Sequence, residues 1–143
     1  MNVEAVLESK LYLAIKSCGG SGSPPKLTSA VHHAVFPGGA RIRPKICLAV
    51  SQACNDTDNS LAMAAAVAIE LLHCASLVHD DLPCFDNADT RRGKPSVHKA
   101  YDERIAVLVG DALIVLAFRM VGLCKTKNID RYTAIFTSIV EGV

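Results

Sequence analysis

From Ser60 to Leu82 the chain runs S-L-A-M-A-A-A-V-A-I-E-L-L-H-C-A-S-L-V-H-D-D-L, with no glycine or proline to interrupt it. Good helix formers dominate the run, and it is apolar on almost every face as far as Ile69. That is the pattern of a helix buried in a bundle or at a seam between subunits, and with the other segments also reading as helices the expected fold is all-α. The last turn carries Asp80 and Asp81, at the end where the helix dipole is already negative. Asp86 and Asp89 follow in the loop, so four carboxylates fall within ten residues, and Arg91, Arg92 and Lys94 come next. Carboxylates crowded at a negative helix end call for a cation. Mg²⁺ answers this, because it is commonly held by one or two carboxylates plus substrate phosphates. The arginine forks match phosphate oxygens. The competing reading is a solvated loop whose Asp and Arg side chains pair with one another.

The rest of the chain reads as shorter helices joined by turns. Val3, Val6, Leu7, Leu11, Ala14 and Ile15 recur at helical spacing over residues 3–17. Gly19 to Pro25 then breaks the helix as a flexible connector. Thr28 or Ser29 is the expected cap of a second helix ending at Val35, in which His32 and His33 point about 100° apart and read as surface or packing residues. After the turn at Pro37-Gly38-Gly39, Pro44 suits the first position of a helix running to about Cys54. Arg41, Arg43 and Lys45 then gather at a helix N-terminus, a place that favours a pyrophosphate, or else they are simply solvated cations. The segment 55–59 is a polar turn with several candidate caps. His73 lies seven residues before Asp80 and shares its face, whereas His79 faces elsewhere and reads as structural. Beyond the acidic loop, Val97 to Tyr101 forms a short helical turn and Glu103 to Cys124 a long helix, with Asp111 expected to be a buried structural carboxylate. The apolar run of that helix is too short and too polar to cross a membrane. Asp130 is the expected cap of a final helix, whose apolar stripe is Tyr132, Ile135, Phe136, Ile139 and Val140.

Three ordered stretches resemble one family. H-D-D-L-P-C-F-D-N-A-D-T-R-R-G-K-P, from His79 to Pro95, resembles the first aspartate-rich motif of the trans-isoprenyl diphosphate synthases. Its D-D-x-x-x-x-D form, with Pro83 and Cys84 as the extra residues, is similar to that of bacterial and plant geranylgeranyl diphosphate synthases. F-P-G-G-A-R-I-R-P at Phe36 to Pro44 and G-D-A-L-I at Gly110 to Ile114 agree with the same family. The resemblance implies an antiparallel helix bundle of isoprenoid synthase type around a deep central cavity. It also implies Mg²⁺ held by Asp80 and Asp86, with Asp81 as a further catalytic carboxylate. Arg91 would bind the diphosphate of an allylic substrate (dimethylallyl, geranyl or farnesyl), and Arg43, His73 and Arg92 would hold isopentenyl diphosphate. The family motif places a lysine where Ala40 stands, so Arg41 or Lys45 would have to replace its charge, or binding is weaker. Small residues four and five positions before the motif, Ser76 and Ala75, imply a long product, geranylgeranyl diphosphate. A second aspartate-rich motif is absent after Val97. Residues 1–143 are therefore expected to be the N-terminal part of a single synthase domain that is a homodimer at full length, and the piece alone is expected to be inactive.

Composition limits the alternatives. A net charge of +1 and no basic stripe give no case for nucleic acid. Six scattered cysteines without a C-x-x-C pair, and an amino-terminal stretch carrying Glu4 and Glu8 with no apolar core, point to reduced thiols in the cytoplasm. A terpene cyclase needs aromatic faces for migrating cations, and this chain has four Phe, three Tyr and no Trp. A catalytically incomplete or regulatory subunit of a prenyl diphosphate synthase remains the rival reading.

Overall fold

A computed structural model describes residues 3–20 and 22–142. Seven helices account for most of them: α1 (Val3–Lys16), α2 (Pro25–Val35), α3 (Ile42–Ala53), α4 (Asn59–Asp80), α5 (Val97–Ala100), α6 (Glu103–Gly122) and α7 (Ile129–Glu141). A two-stranded antiparallel hairpin, β1 (Thr90–Arg91) and β2 (Lys94–Pro95), sits between α4 and α5. The connector expected at Gly19 to Pro25 joins α1 to α2, and Ser21 within it lies outside the described residues.

The helix read from Ser60 to Leu82 is the axis of the fold. It packs most extensively on α6, carries α3 along another side, and is covered at its middle by α1 and α2. Leu7 and Leu11 of α1, Val31 of α2, Leu71 of α4 and Leu113 of α6 are fully buried in one cluster. Burying side chains of this size is worth about 1.5–3 kcal/mol each. By length and composition α4 and α6 could each cross a membrane, so the expectation that the second is too short and too polar counts only its uninterrupted apolar run. Here the two helices pack against one another, and most of the apolar window of α4 is buried inside the bundle.

The helix ends depart from the sequence expectations in small ways. Pro24 precedes α2 and Pro25 opens it, so neither Thr28 nor Ser29 is the cap; a proline in the first turn surrenders only an N–H that has no intrahelical partner. Helix α3 starts at Ile42, which makes Pro44 its third residue. Asp58 caps α4 by accepting from the Leu61 N–H at 3.0 Å. Asn128, not Asp130, caps α7, its side chain accepting from the Arg131 N–H at 3.0 Å. Asp111 is exposed rather than buried, because the face of α6 bearing Val107, Leu108, Asp111 and Val115 is left uncovered by the described residues. On α7 the expected stripe is half-buried, with Val140 exposed.

Candidate active site

Helix α4 ends at Asp80, and the chain winds back on itself beyond it. The Asp86 N–H donates to the Asp80 carbonyl at 2.9 Å, and the Ala88 N–H donates to the Asp81 carbonyl at 3.2 Å. The chain then reverses through Arg92 and Gly93, whose φ angles of 54° and 77° make the two-residue turn of the hairpin. A positive φ is unusual for an arginine, and this residue is one to which the family resemblance would give a role in substrate binding.

That reversal sorts the four carboxylates. Asp81 is buried, and both of its oxygens accept from Arg91, with Nε at 3.1 and 3.2 Å and Nη2 closer still. These hydrogen bonds to Asp81 hold the Arg91 pKa above its ordinary value. Asp89 pairs with Lys99 at 3.0 Å. Asp80 and Asp86 are exposed, and among the described residues neither carboxylate has a hydrogen-bond or ion-pair partner, though both lie in the field of Arg91. The solvated Asp–Arg loop weighed from the sequence is thus half present: Asp81 and Asp89 are paired, while Asp80 and Asp86 are bare. Two bare carboxylates, tied together through the backbone at a negative helix end, suit a hard divalent cation that completes its shell with water and phosphate oxygens.

Arg41 and Arg43 stand two residues apart and do different things. Arg41 is 3 % exposed. Its Nη1 donates to Glu70 at 2.6 Å, its Nε to Glu8 at 2.7 Å, and its Nη2 to the Val35 carbonyl at 2.9 Å. Burial pulls its pKa down, but the hydrogen bonds with Glu8 and Glu70 outweigh that and hold it above its ordinary value. Gly38 makes this possible, since a Cβ there would strike the Arg41 guanidinium at 2.1 Å. Arg41 therefore cannot replace the charge missing at Ala40. Lys45 is exposed and pairs with Glu4 at 3.1 Å. Arg43, in the first turn of α3, is exposed, and its Nη1 lies 3.2 Å from His73 Nε2. A guanidinium only donates, so this contact requires Nε2 to carry no proton. Burial first, and then the charge of Arg43 with those of Arg92 and Arg91, lowers the His73 pKa despite Glu70. Arg92 bends back towards Gly39 and Cys74, completing a cationic rim around the imidazole. Lys94 instead donates to the His33 and Phe36 carbonyls, fixing the hairpin on the end of α2.

Below this rim lies a cavity of about 920 Å³ that opens to solvent and runs between α3, α4, α6 and α7. Arg43 and His73 line its mouth, Leu72, Ala75 and Ser76 its upper wall, and Ala65 and Ala62 the wall farther down α4. Ala75 and Ser76 face it as expected. Leu72 is a wall and not a stop, since the cavity continues beyond it. His79, read as purely structural, also lines the cavity; its ring lies 3.3 Å from the Val107 carbonyl and rests on Gly110, where a Cβ would meet it at 1.9 Å. Glu70 escaped notice in the sequence, although a lone acid inside an apolar helix is a signal for a buried partner.

A helical bundle with Arg43 and His73 at the mouth of a largely apolar cavity, and two bare carboxylates at the end of the helix that walls it, is an arrangement that can take an amphiphile with an anionic head. Comparison with known proteins narrows the class. A family model described as polyprenyl synthetase matches residues 24–143. The geranylgeranyl diphosphate synthase of Cereibacter sphaeroides is 50% identical over 139 residues, covering 97% of this chain and 48% of that protein. That of Rhodobacter capsulatus is 53% identical over 131 residues, covering 92% and 45%. Among solved structures, an isoprenoid synthase family member from Thermotoga neapolitana aligns with a TM-score of 0.80 at 37% identity, over 96% of this chain and 51% of that one. A geranyltransferase from Legionella pneumophila aligns at 0.75 and 38% identity, over 94% and 49%. The chain belongs to the polyprenyl synthetase family and has its isoprenoid synthase fold. It spans about half the length of the curated relatives it matches.

Proposed function

We propose that this chain is the amino-terminal half of the domain of a prenyltransferase that condenses isopentenyl diphosphate with dimethylallyl, geranyl or farnesyl diphosphate to give geranylgeranyl diphosphate. The observation that carries the reading is the Arg43–His73 contact at the mouth of a largely apolar cavity, with the bare Asp80 and Asp86 at the carboxyl end of the helix that walls it. The names of the relatives in Cereibacter sphaeroides and Rhodobacter capsulatus support the product.

Asp80 and Asp86 would hold Mg²⁺, which when bound neutralises the allylic diphosphate and makes it a leaving group. Asp81 keeps Arg91 at the same end of α4 through its buried pairing, ready to share that anion. Arg43, Arg92 and His73 would hold isopentenyl diphosphate at the mouth. The allylic C–O bond breaks with its electron pair leaving on the diphosphate. The isopentenyl double bond attacks the exposed allylic carbon, and the resulting cation loses a proton to the released diphosphate. Leu72, Ile69, Ala65 and Ile114 keep water from the cation, which it would capture as an alcohol. The small side chains of Ala75 and Ser76 leave the upper cavity open to a long chain.

The 143-residue chain alone should turn over poorly, because α7 has no buried residue and Ile42, Ile46 and Val50 of α3 stand exposed. Exposed Leu108 and Val115 on α6 support a homodimer at full length. The test is product analysis of the full-length protein supplied with Mg²⁺, isopentenyl diphosphate and each allylic diphosphate. Linear twenty-carbon diphosphate is expected. A cyclised hydrocarbon, or no product, would overturn the reading.

A further inference from the structure

At the amino end of α4 the cavity is lined by Ala62 and Ala65 together with Ser51 of α3 and Arg131 of α7. From Ala62 to Asp80 the helix rises about 27 Å, so this end lies far below the level of Ser76. Arg131 is the third residue of α7, where the helix dipole disfavours a cation. Asp56, in the loop between α3 and α4, keeps it there by accepting from both Nη1 and Nη2. The Asp56 side chain is 1 % exposed, and it also accepts from Ser51 Oγ at 2.7 Å and from the Asp58 N–H at 2.8 Å. The nearby Thr126 hydroxyl donates to Asp58, so both loops at this end are tied down. An oriented ion pair, its carboxylate fully partnered and its arginine side chain 34 % exposed, therefore lines the end of the cavity remote from Asp80.

Deepening the reading above, on which it rests, we propose that the Arg131–Asp56 pair is the floor that limits how long a hydrocarbon the enzyme makes. A growing tail pressed against the guanidinium strips water from a charge and returns no hydrogen bond, which is unfavourable. Apolar wall residues can shift aside for a tail, whereas this pair cannot move without parting two charges. Product length is then set at α7 and the loop before α4, and not only at Ala75 and Ser76.

The experiment is product analysis of the full-length protein given farnesyl and isopentenyl diphosphates with Mg²⁺. Arg131→Met, which removes the charge, is expected to shift products to chains longer than wild type. Ala134→Phe, one turn along α7 and also lining the cavity, leaves the ion pair intact and raises the floor; it is expected to shift products shorter. If Arg131→Met does not fold, Ala134→Phe decides alone. An Ala134→Phe spectrum identical to wild type overturns the inference, as does a folded Arg131→Met with unchanged products. Absence of any prenyl product from the wild type overturns the catalytic reading and the inference with it.

Discussion

At its amino end α4 is flanked by Asp56 and Asp58, and at its carboxyl end by Asp80 and Asp86. The first pair is saturated: Arg131, Ser51, Thr126 and two backbone N–H groups take up the carboxylate oxygens. The second pair is bare, although it stands at the end where the dipole makes bare carboxylates unfavourable. Acids at the positive end of a helix are easily explained by capping. Acids left unpartnered at the negative end, in the field of Arg91, are what the proposed cation, arriving with a ligand, would explain. Under the proposed function, the difference separates a carboxylate that builds the fold from one that serves chemistry.

The sharpest way to break that comparison is to neutralise each end. In the full-length protein, Asp80→Asn or Asp86→Asn should lower kcat on the order of a hundredfold or more, since each removes charge from the metal that stabilises the leaving group. The same variants should fold as well as wild type, or gain about 0.3–1 kcal/mol in a denaturant titration, because an unfavourable dipole contact is relieved. Near-normal turnover at saturating Mg²⁺ would remove Asp80 and Asp86 from the site.

Next in size is Arg41→Ala. It strands Glu70, 2 % exposed, inside α4, and should cost about 3–5 kcal/mol of stability in urea unfolding. Arg43→Ala, two residues along, should leave stability within about 0.5 kcal/mol of wild type and instead raise KM for isopentenyl diphosphate. Equal losses of stability from the two variants would erase the distinction drawn between them.

At the saturated end the effect is read through pH. Hydrogen bonds from Arg131, Ser51 and Asp58 hold the Asp56 carboxyl below its ordinary range. Its stabilisation is therefore fully present above the unfolded value, about pH 4, and is lost as the pH falls through the lower folded value. Acid unfolding followed by circular dichroism should be steeper for wild type than for Asp56→Asn; parallel curves would mean that the pair contributes nothing to the fold.

How much of this could be read from residues alone varied with the range of the interaction. The long helices were legible because apolar spacing and Gly/Pro punctuation are local, and the motifs around Asp80 and Arg43 were legible as a pattern. The assignment of partners was not. Which aspartate meets Arg91 depends on the turn at Arg92 and Gly93, and whether Arg41 or Arg43 is free depends on Glu8 and Glu70, 33 and 29 residues away. Asp111 misled because its neighbours in sequence are apolar, while its face of α6 is uncovered. Arg131 gave only a faint signal, a cation in the first turn of a helix.

The smallest expected effect concerns His73. Burial, with the charges of Arg43, Arg92 and Arg91, lowers its pKa. A diphosphate placed among those arginines offsets their charge, so the His73 pKa should move up on adding inorganic pyrophosphate, as read from its ring proton shifts by NMR. Binding should tighten as the pH falls through that value. No movement would place the anion elsewhere.

The most direct test of the whole account is a crystal structure of the full-length protein grown with Mg²⁺ and pyrophosphate. Metal density is expected between the pyrophosphate oxygens and Asp80 and Asp86, at about 2.0–2.1 Å from their carboxylates. Asp81 should remain on Arg91. Metal bound at another set of residues, with Asp80 and Asp86 still free, would contradict it.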